Sequence, residues 1–296
     1  MPALAKVDYA LHAIADKQQV LQTICIEPRI HPVFKERQTM AYQFIRYQVI
    51  DSLGLITLNR PDKLNAVSLG MLDELHLAVN AAERDEQVRV IGITGAGDKA
   101  FAAGSDLAEV KDRDLKKALE PIVQGLAEKL ERCSKVSIAA INGICFGGGL
   151  EVALGCDLRL ATPNATFATP EGKLGIIPGG GATQRLPRLV GRAWALEMLI
   201  MGEPIDADRA LHIGLVTRLV ESEDLLPELS RMAEHISAFA PLVPQFMKAM
   251  VNYGMEGSSA AGLAMEKFAQ SALCSTADKE EGLSAFLEKR TPVWNK

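Results

Sequence analysis

The chain has 296 residues, of which 48% are hydrophobic and 23% are charged. This composition is typical of a globular protein with enough apolar residues for one large domain or two small ones. Its formal net charge of −5 argues against nucleic acid or an anionic membrane surface as the main partner.

The histidines and cysteines show neither the spacing of a metal site nor a C-x-x-C pair. No apolar run reaches the ~18 residues of a membrane span. The N-terminus lacks the patterns of a secretory signal and of an organelle-import segment. We therefore expect no metal, no membrane partner and a cytoplasmic location.

Strand and helix patterns alternate along the chain after an N-terminal extension of unknown role, residues 1–42. The predicted strands are 54–60, 88–95, 136–141, 158–162 and 213–220. The predicted helices cover 71–82, 115–130 with a break or restart at Pro121, and 192–202. This order predicts an α/β core over 43–235, followed by a helical region over 236–296 that is broken at Pro241 and Pro244.

The stretch INGICFGGGLEVALGCD (141–157) contains one carboxylate, Glu151, in an otherwise apolar run. Its glycine turn predicts a helix start, where the first amides lack intrahelical partners and attract negative charge. We expect the Gly148 amide to bind a developing oxyanion, with Glu151 beside it. The helix dipole alone also explains a glutamate in a first turn. The missing polar face favours a chemical role, because an unpaired buried carboxylate is costly.

Two further stretches contain candidate functional groups. In AFAAGSDLAEV (100–110), the Ser105 amide is a second predicted donor, whereas Asp106 is better explained as a helix cap. Two converging amides suit acyl chemistry. In TFATPEGKLGIIPGGGATQRL (166–186), Glu171 alone is better explained as an exposed loop carboxylate near Lys173. Its spacing from Glu151 does not show that the two residues meet.

The segment GAGDKA (95–100) fits a loose dinucleotide-binding fingerprint after a strand. That motif requires a strand-end acid about twenty residues later, and position 116 is a lysine within a helical pattern. A nucleotide-dependent oxidoreductase is therefore not favoured.

Four motifs in order resemble the enoyl-CoA hydratase/isomerase (crotonase) family: LNRPDKLNAV, AFAAGSDLAEV, INGICFGGGLEVALGCDLRLA and TFATPEGKLGIIPGGGATQRLPRLVG. The resemblance runs from about residue 45 to the C-terminus. It implies an α/β crotonase-like spiral of ββα turns with a C-terminal helical trimerisation region, assembled as a homotrimer or homohexamer. It also implies an acyl-CoA substrate, with coenzyme A as part of that substrate and no separate cofactor.

The resemblance also implies roles for individual positions. Glu151 and Glu171 match the two catalytic glutamates, and the amides of Ser105 and Gly148 match the oxyanion hole. The positions that match coenzyme A contacts are Asn65, Ala66, Lys99, Ala103, Asp106, Leu107, Phe286 and Lys289. Lys289, with Phe286 nearby, matches a contact to the coenzyme A of a neighbouring subunit.

The sequence departs from the family pattern at two positions. Ala108 stands where the family often has a lysine, so one phosphate contact is in doubt. Ser105 replaces the usual alanine, and we expect little effect because the backbone amide is the functional group.

The presence of both glutamates favours an enoyl-CoA hydratase. Isomerases of the family typically need one glutamate, while its lyases, dehydratases and CoA-ester hydrolases keep one or both, so these remain alternatives.

An RNA-binding branch uses a lysine-rich helix, whereas MLDELHLAVNAAERDEQVRV (71–90) contains more acids than arginines. RNA binding is therefore not favoured. The sequence does not identify the acyl group.

Overall fold

The computed structural model describes residues 42–120 and 122–295. The predicted N-terminal extension lies outside these residues, except for Tyr42. The described chain forms two sheets with helices packed around them. Within it, no helix is both long enough and apolar enough to cross a membrane.

The larger sheet contains six strands. They are β1 Ile45–Ile50, β2 Leu53–Leu58, β3 Val90–Gly95, β5 Val136–Ile141, β7 Leu158–Ala161 and β10 Arg218–Leu219. Their order is β1-β2-β3-β5-β7-β10, with an antiparallel β1–β2 hairpin and parallel pairing elsewhere. Every residue of β3 is buried, which explains its continuous apolar sequence.

The smaller sheet is built from strands of two or three residues. They are β4 Ala100–Ala102, β6 Ile144–Phe146, β8 Thr166–Ala168 and β9 Ile205–Asp206, in the order β4-β6-β8-β9. Successive strand pairs, such as β5 and β6, contribute one strand to each sheet before the next helix. This repeat is the ββα spiral that the resemblance predicted.

Eleven α-helices lie within the described residues. They are α1 Leu69–Arg84, α2 Leu107–Lys111, α3 Leu115–Ala118, α4 Ile122–Arg132, α5 Gly147–Gly155, α6 Ala182–Met201, α7 Ala207–His212, α8 Leu225–Ser237, α9 Leu242–Glu256, α10 Ser259–Cys274 and α11 Ala277–Glu288. Short 3-10 helices cover Pro61–Lys63, Pro170–Leu174 and Ser222–Asp224. Helix α3 ends and α4 begins on either side of the break predicted at position 121.

The predicted strand 213–220 is wrong over most of its length, since only Arg218–Leu219 pairs with a neighbouring strand. The preceding residues close helix α7: Gly214 has a φ of 80°, and the Leu215 amide donates to the Ala210 carbonyl at 2.9 Å. Leu215 is nevertheless fully buried. The apolar run therefore reflects burial of a helix end rather than a strand.

One helix prediction needs correction. Pro244 does not break the chain, because it lies in the first turn of α9, where its missing N–H has no intrahelical partner to lose. The helix predicted over 192–202 is present as the second part of α6, which Gly191, with a non-helical φ of 76°, separates from a first part that begins at Ala182.

Two apolar clusters hold these layers together. The larger cluster includes residues of α1, α4, α5 and the two sheets, with Phe101 and Phe167 among its largest fully buried side chains. On the opposite face of the larger sheet, α8 contributes Leu225 and Leu229 to a second cluster. Helix α5 contacts α4, α6 and strands of the smaller sheet, so it lies in the interior.

The C-terminal helices differ from this core. No residue of α9 or α10 is buried in the single chain. The domain boundary predicted at residue 235 falls within α8, and the division into core and C-terminal region stays a prediction.

Candidate active site

Helix α5 begins with a bare glycine turn. Gly147 has a φ of 47°, and Phe146 at the N-cap makes no side-chain capping bond. A Cβ atom built on Gly148 would lie 2.6 Å from the Ser105 Oγ and 3.4 Å from the Ser105 backbone nitrogen. The start of α5 therefore faces Ser105, and any side chain at position 148 would crowd that approach.

The Ser105 loop is fixed by a bridge to Val67. The Val67 amide donates to the Gly104 carbonyl at 2.8 Å, and the Asp106 amide donates to the Val67 carbonyl at 2.9 Å. Among the described residues, no acceptor is recorded for the Ser105 amide itself. The structure thus brings together the two predicted oxyanion donors.

Glu151 lies on α5, where all nine residues are buried, and its side chain is satisfied by backbone. Its Oε1 accepts hydrogen bonds from the amides of Gly180 at 2.6 Å and Ala182 at 3.1 Å. Burial raises the pKa of Glu151 from 4.5 to about 7, although the two amides oppose the shift. A carboxylate with this pKa exchanges protons near neutral pH.

Glu171 lies on the 3-10 helix Pro170–Leu174 and is also buried. Its Oε2 is buried and has no partner among the described residues, while its Oε1 would lie 2.8 Å from a Cβ built on Gly147. Burial raises its pKa. The interpretation as an exposed carboxylate near Lys173 is wrong, because Glu171 is buried and Lys173 pairs instead with Glu203 at 2.9 Å. An unpaired buried oxygen beside a helix start indicates a functional site.

The sequence model of the enoyl-CoA hydratase/isomerase family matches residues 49–296. The chain belongs to this family. Its curated relatives include the crotonyl-CoA hydratase of Syntrophomonas wolfei, which is 41% identical over 253 residues, with 85% of this chain and 97% of the relative covered. The short-chain-enoyl-CoA hydratase of Clostridium acetobutylicum is 39% identical over 240 residues, with 80% of this chain and 92% of the relative covered.

A solved enoyl-CoA hydratase from Bacillus anthracis has the same fold. Its TM-score is 0.82 at 37% identity, and the match covers 85% of this chain and 99% of that chain. The resemblance stated from the four motifs is therefore confirmed, and so is the crotonase-like fold.

The predicted coenzyme A contacts of this family member lie partly in the loop before α1. Asn65 donates from Nδ2 to the carbonyls of Ala96 and Ala100 at 3.0 and 2.8 Å, and its Oδ1 accepts from the Arg60 amide. The Ala66 carbonyl accepts from the Arg60 guanidinium at 2.7 Å. The side chain of Asn65 therefore holds the loop in shape. Its backbone amide also donates within the loop, to the Arg60 carbonyl at 2.9 Å.

Asp106 acts as the helix cap that the sequence predicted. Its Oδ1 accepts from the Ala108 amide at 3.2 Å, and its Oδ2 pairs with Arg60 at 2.9 Å. The pKa of Asp106 is lowered, mainly by the hydrogen bond from Arg60. The Ala103 amide donates to the Leu64 carbonyl at 3.0 Å, which joins the two loops beside the oxyanion donors.

The remaining predicted contacts are exposed. Lys99 precedes β4, and Leu107 begins α2 with 60% of its surface exposed. Phe286 and Lys289 lie at the end of α11, where no recorded hydrogen bond or ion pair of the described residues joins their side chains to the glutamates. Every coenzyme A contact stays a prediction.

The groups that hold Glu151 were not predicted from the sequence. The donors belong to Gly180 and Ala182, and Arg185 follows one turn later. The sequence PGGG (178–181) could have indicated these donors. Glycines before a helix start predict backbone amides without intrahelical partners, and the same pattern was used at the start of α5.

Proposed function

We propose that this chain is an enoyl-CoA hydratase that adds water across the C2–C3 double bond of a trans-2-enoyl-CoA thioester. The observation that carries the proposal is the pair of buried glutamates, Glu151 on α5 and Glu171 on the 3-10 helix that approaches the first residue of α5. Glu151 is held by two amides, and Glu171 has an unpartnered oxygen. The relatives named as crotonyl-CoA and short-chain-enoyl-CoA hydratases support the same reaction.

The amides of Ser105 and Gly148 would bind the thioester carbonyl oxygen. As the oxygen of water bonds to C3, the electrons of the double bond move towards this carbonyl and produce an enolate. Donors aimed at that developing charge lower the barrier, and one such donor is typically worth ~2.7–4 kcal/mol. The orientation of both amides is fixed before substrate binds, because each belongs to a hydrogen-bonded turn.

The two glutamates divide the proton transfers. Ionised Glu151 takes a proton from the attacking water, and protonated Glu171 gives a proton to C2, so that the product is a 3-hydroxyacyl-CoA. A proton transfer from Glu151 to Glu171 through water then restores the pair. Each acid–base partner typically contributes ~10²–10⁴-fold to the rate.

Several further parts of this proposal come from the family resemblance or from the sequence composition. Coenzyme A enters as part of the substrate, with no separate cofactor and no metal, and we propose neither nucleic acid nor membrane as a partner. A cytoplasmic location remains a prediction.

The exposed apolar side chains of α9 and α10, including Met247, Val251 and Phe268, support a homotrimer or homohexamer. Sedimentation equilibrium distinguishes these two states from a monomer.

The test is the loss of the enone absorbance of crotonyl-CoA with wild type, Glu151→Gln and Glu171→Gln. We expect turnover in wild type and a fall of ~10²–10⁴-fold in each variant. Glu197→Gln is the matched control, because Glu197 is exposed on α6. Full activity of Glu151→Gln would overturn the assigned base. Binding of crotonyl-CoA without turnover in wild type would show that the substrate is another acyl group.

A further inference from the structure

Arg185 on α6 makes a forked ion pair with Glu131 on α4. Its Nε lies 2.6 Å from Oε1 and its Nη2 lies 2.8 Å from Oε2. The Arg185 side chain is only 13% exposed. This two-bond geometry fixes the plane of the guanidinium group, which a single contact would leave free to rotate.

The third nitrogen of Arg185 points to the turn that holds Glu151. Nη1 donates to the Gly180 carbonyl at 2.9 Å, while the Gly180 amide donates to Glu151 at 2.6 Å. A continuous series of contacts therefore runs from Glu131 through Arg185 and Gly180 to Glu151. The next residue, Gly181, has a φ of 107°, which places the turn in a conformation that favours glycine.

We propose that Arg185, oriented by Glu131, is a positioning residue that fixes the 180–182 turn so that the turn's two amides hold Glu151 in its ionised, reactive orientation. The proposal rests on the proposed function, because it assigns Glu151 as the base. Arg185 itself touches neither water nor substrate in this scheme.

The charged groups around Glu151 set the expected direction of change. Glu171 on the 3-10 helix raises the pKa of Glu151, and Arg185 on α6 lowers it. Glu131 on α4 pairs with Arg185. Removal of Arg185 takes away a cation and loosens two amide donors, and both changes favour the protonated form of Glu151.

The first experiment compares pH profiles of kcat/KM for Arg185→Gln and Arg188→Gln with crotonyl-CoA. Arg188 is a matched control, because it is exposed on the same helix and donates to the Gln184 carbonyl. We expect the acidic limb to move up by about one pH unit in Arg185→Gln, the lower end of the range for an opposite charge nearby. Arg188→Gln should keep the wild-type limb. If Arg185→Gln lowers the maximal kcat/KM but leaves the acidic limb at its wild-type pH, Arg185 has a purely structural role and the proposal is overturned.

A second pair of variants tests the geometry. Arg185→Lys keeps the charge but loses the fork, so its limb should lie between those of wild type and Arg185→Gln. Glu131→Gln keeps a hydrogen-bond acceptor while removing one charge of the pair. If Arg185→Gln fails to fold, as judged by circular dichroism, Glu131→Gln decides the matter: an upward shift of its limb supports the proposal, and a wild-type limb contradicts it.

A direct titration separates this inference from the proposed function. Carbon NMR of ¹³C-labelled glutamate side chains reports the pKa of Glu151, with Glu151→Gln identifying the signal. If wild type lacks hydratase activity but the Glu151 titration moves up in Arg185→Gln, the proposed function fails and the positioning role stands. If wild type is active and the titration does not move, the positioning role is wrong.

Discussion

Helix α5 and the 3-10 helix Pro170–Leu174 each bring one glutamate to the site, and they hold it differently. Glu151 accepts two backbone hydrogen bonds on one oxygen, whereas Glu171 has a buried oxygen with no partner among the described residues. Burial raises both pKa values. The amides of Gly180 and Ala182 oppose this shift at Glu151, whereas only its own backbone amide opposes it at Glu171. Two identical side chains thus have different environments, which fits the opposite proton-transfer roles that we propose for them.

The largest predicted effect concerns the oxyanion donors between these two regions. Gly148→Ala should lower kcat by ~10²–10³-fold, the typical cost of losing one such donor. The new Cβ would lie 2.6 Å from the Ser105 Oγ and 3.4 Å from the Ser105 nitrogen, so the methyl group would crowd the space between the two amides. Gly172→Ala is the control, since its Cβ would meet nothing within 4 Å. Equal kcat for both variants with crotonyl-CoA would contradict the assignment.

The next prediction concerns an ion pair just after the C-terminal end of α5. Lys248 on α9 pairs with Asp157 at 2.8 Å and donates to the carbonyls of Leu130 and Lys135. Lys248→Met should reduce the free energy of unfolding by about 3 kcal/mol, because it leaves a carboxylate that is only 17% exposed without its cation. Urea denaturation measures this loss.

The double variant Lys248→Met/Asp157→Asn provides the control for this ion pair. It removes the unpaired charge together with its cation, so it should recover part of the lost stability. If the double variant is less stable than Lys248→Met alone, the charge imbalance is not the cause of the loss.

A smaller effect tests the donors to Glu151. A Cβ on Gly180 would lie 2.6 Å from the Glu151 Oε2, whereas a Cβ on the neighbouring Gly179 would meet nothing within 4 Å. Gly180→Ala should therefore lower kcat/KM about tenfold, consistent with a small misplacement of the base. Gly179→Ala should stay near wild type. A pair of variants with indistinguishable kcat/KM would mean that the turn does not orient Glu151.

The last prediction is a pH dependence of stability. Because the pKa of Glu151 rises from 4.5 to about 7 on folding, the folded state holds this proton more tightly. The resulting stabilisation is fully present below pH 4.5 and is lost as the pH rises to about 7. Wild type should therefore lose stability relative to Glu151→Gln across this window. A constant difference in the free energy of unfolding between pH 4 and pH 8 would contradict the raised pKa.

The sequence predicted the regular core better than the smaller sheet. Long strands such as Val136–Ile141 and the helix Leu69–Arg84 have apolar patterns that a single segment reveals. Strands of two or three residues, such as Ile144–Phe146, are too short to show a period. Their structure depends on pairing with segments distant in the chain, and the same dependence explains the wrong strand at 213–220.

The sequence by itself determined the family and the candidate groups: four ordered motifs, a glycine turn before an apolar helix, and one glutamate in that helix. The tertiary structure alone decided that Glu171 is buried near Glu151, that Ser105 faces Gly148, and that the 180–182 turn donates to Glu151. Local patterns predict helices, turns and free amides because these depend on neighbouring residues. Burial, hydrogen-bond partners and pKa values depend on residues far apart in the chain, which only the fold brings into contact.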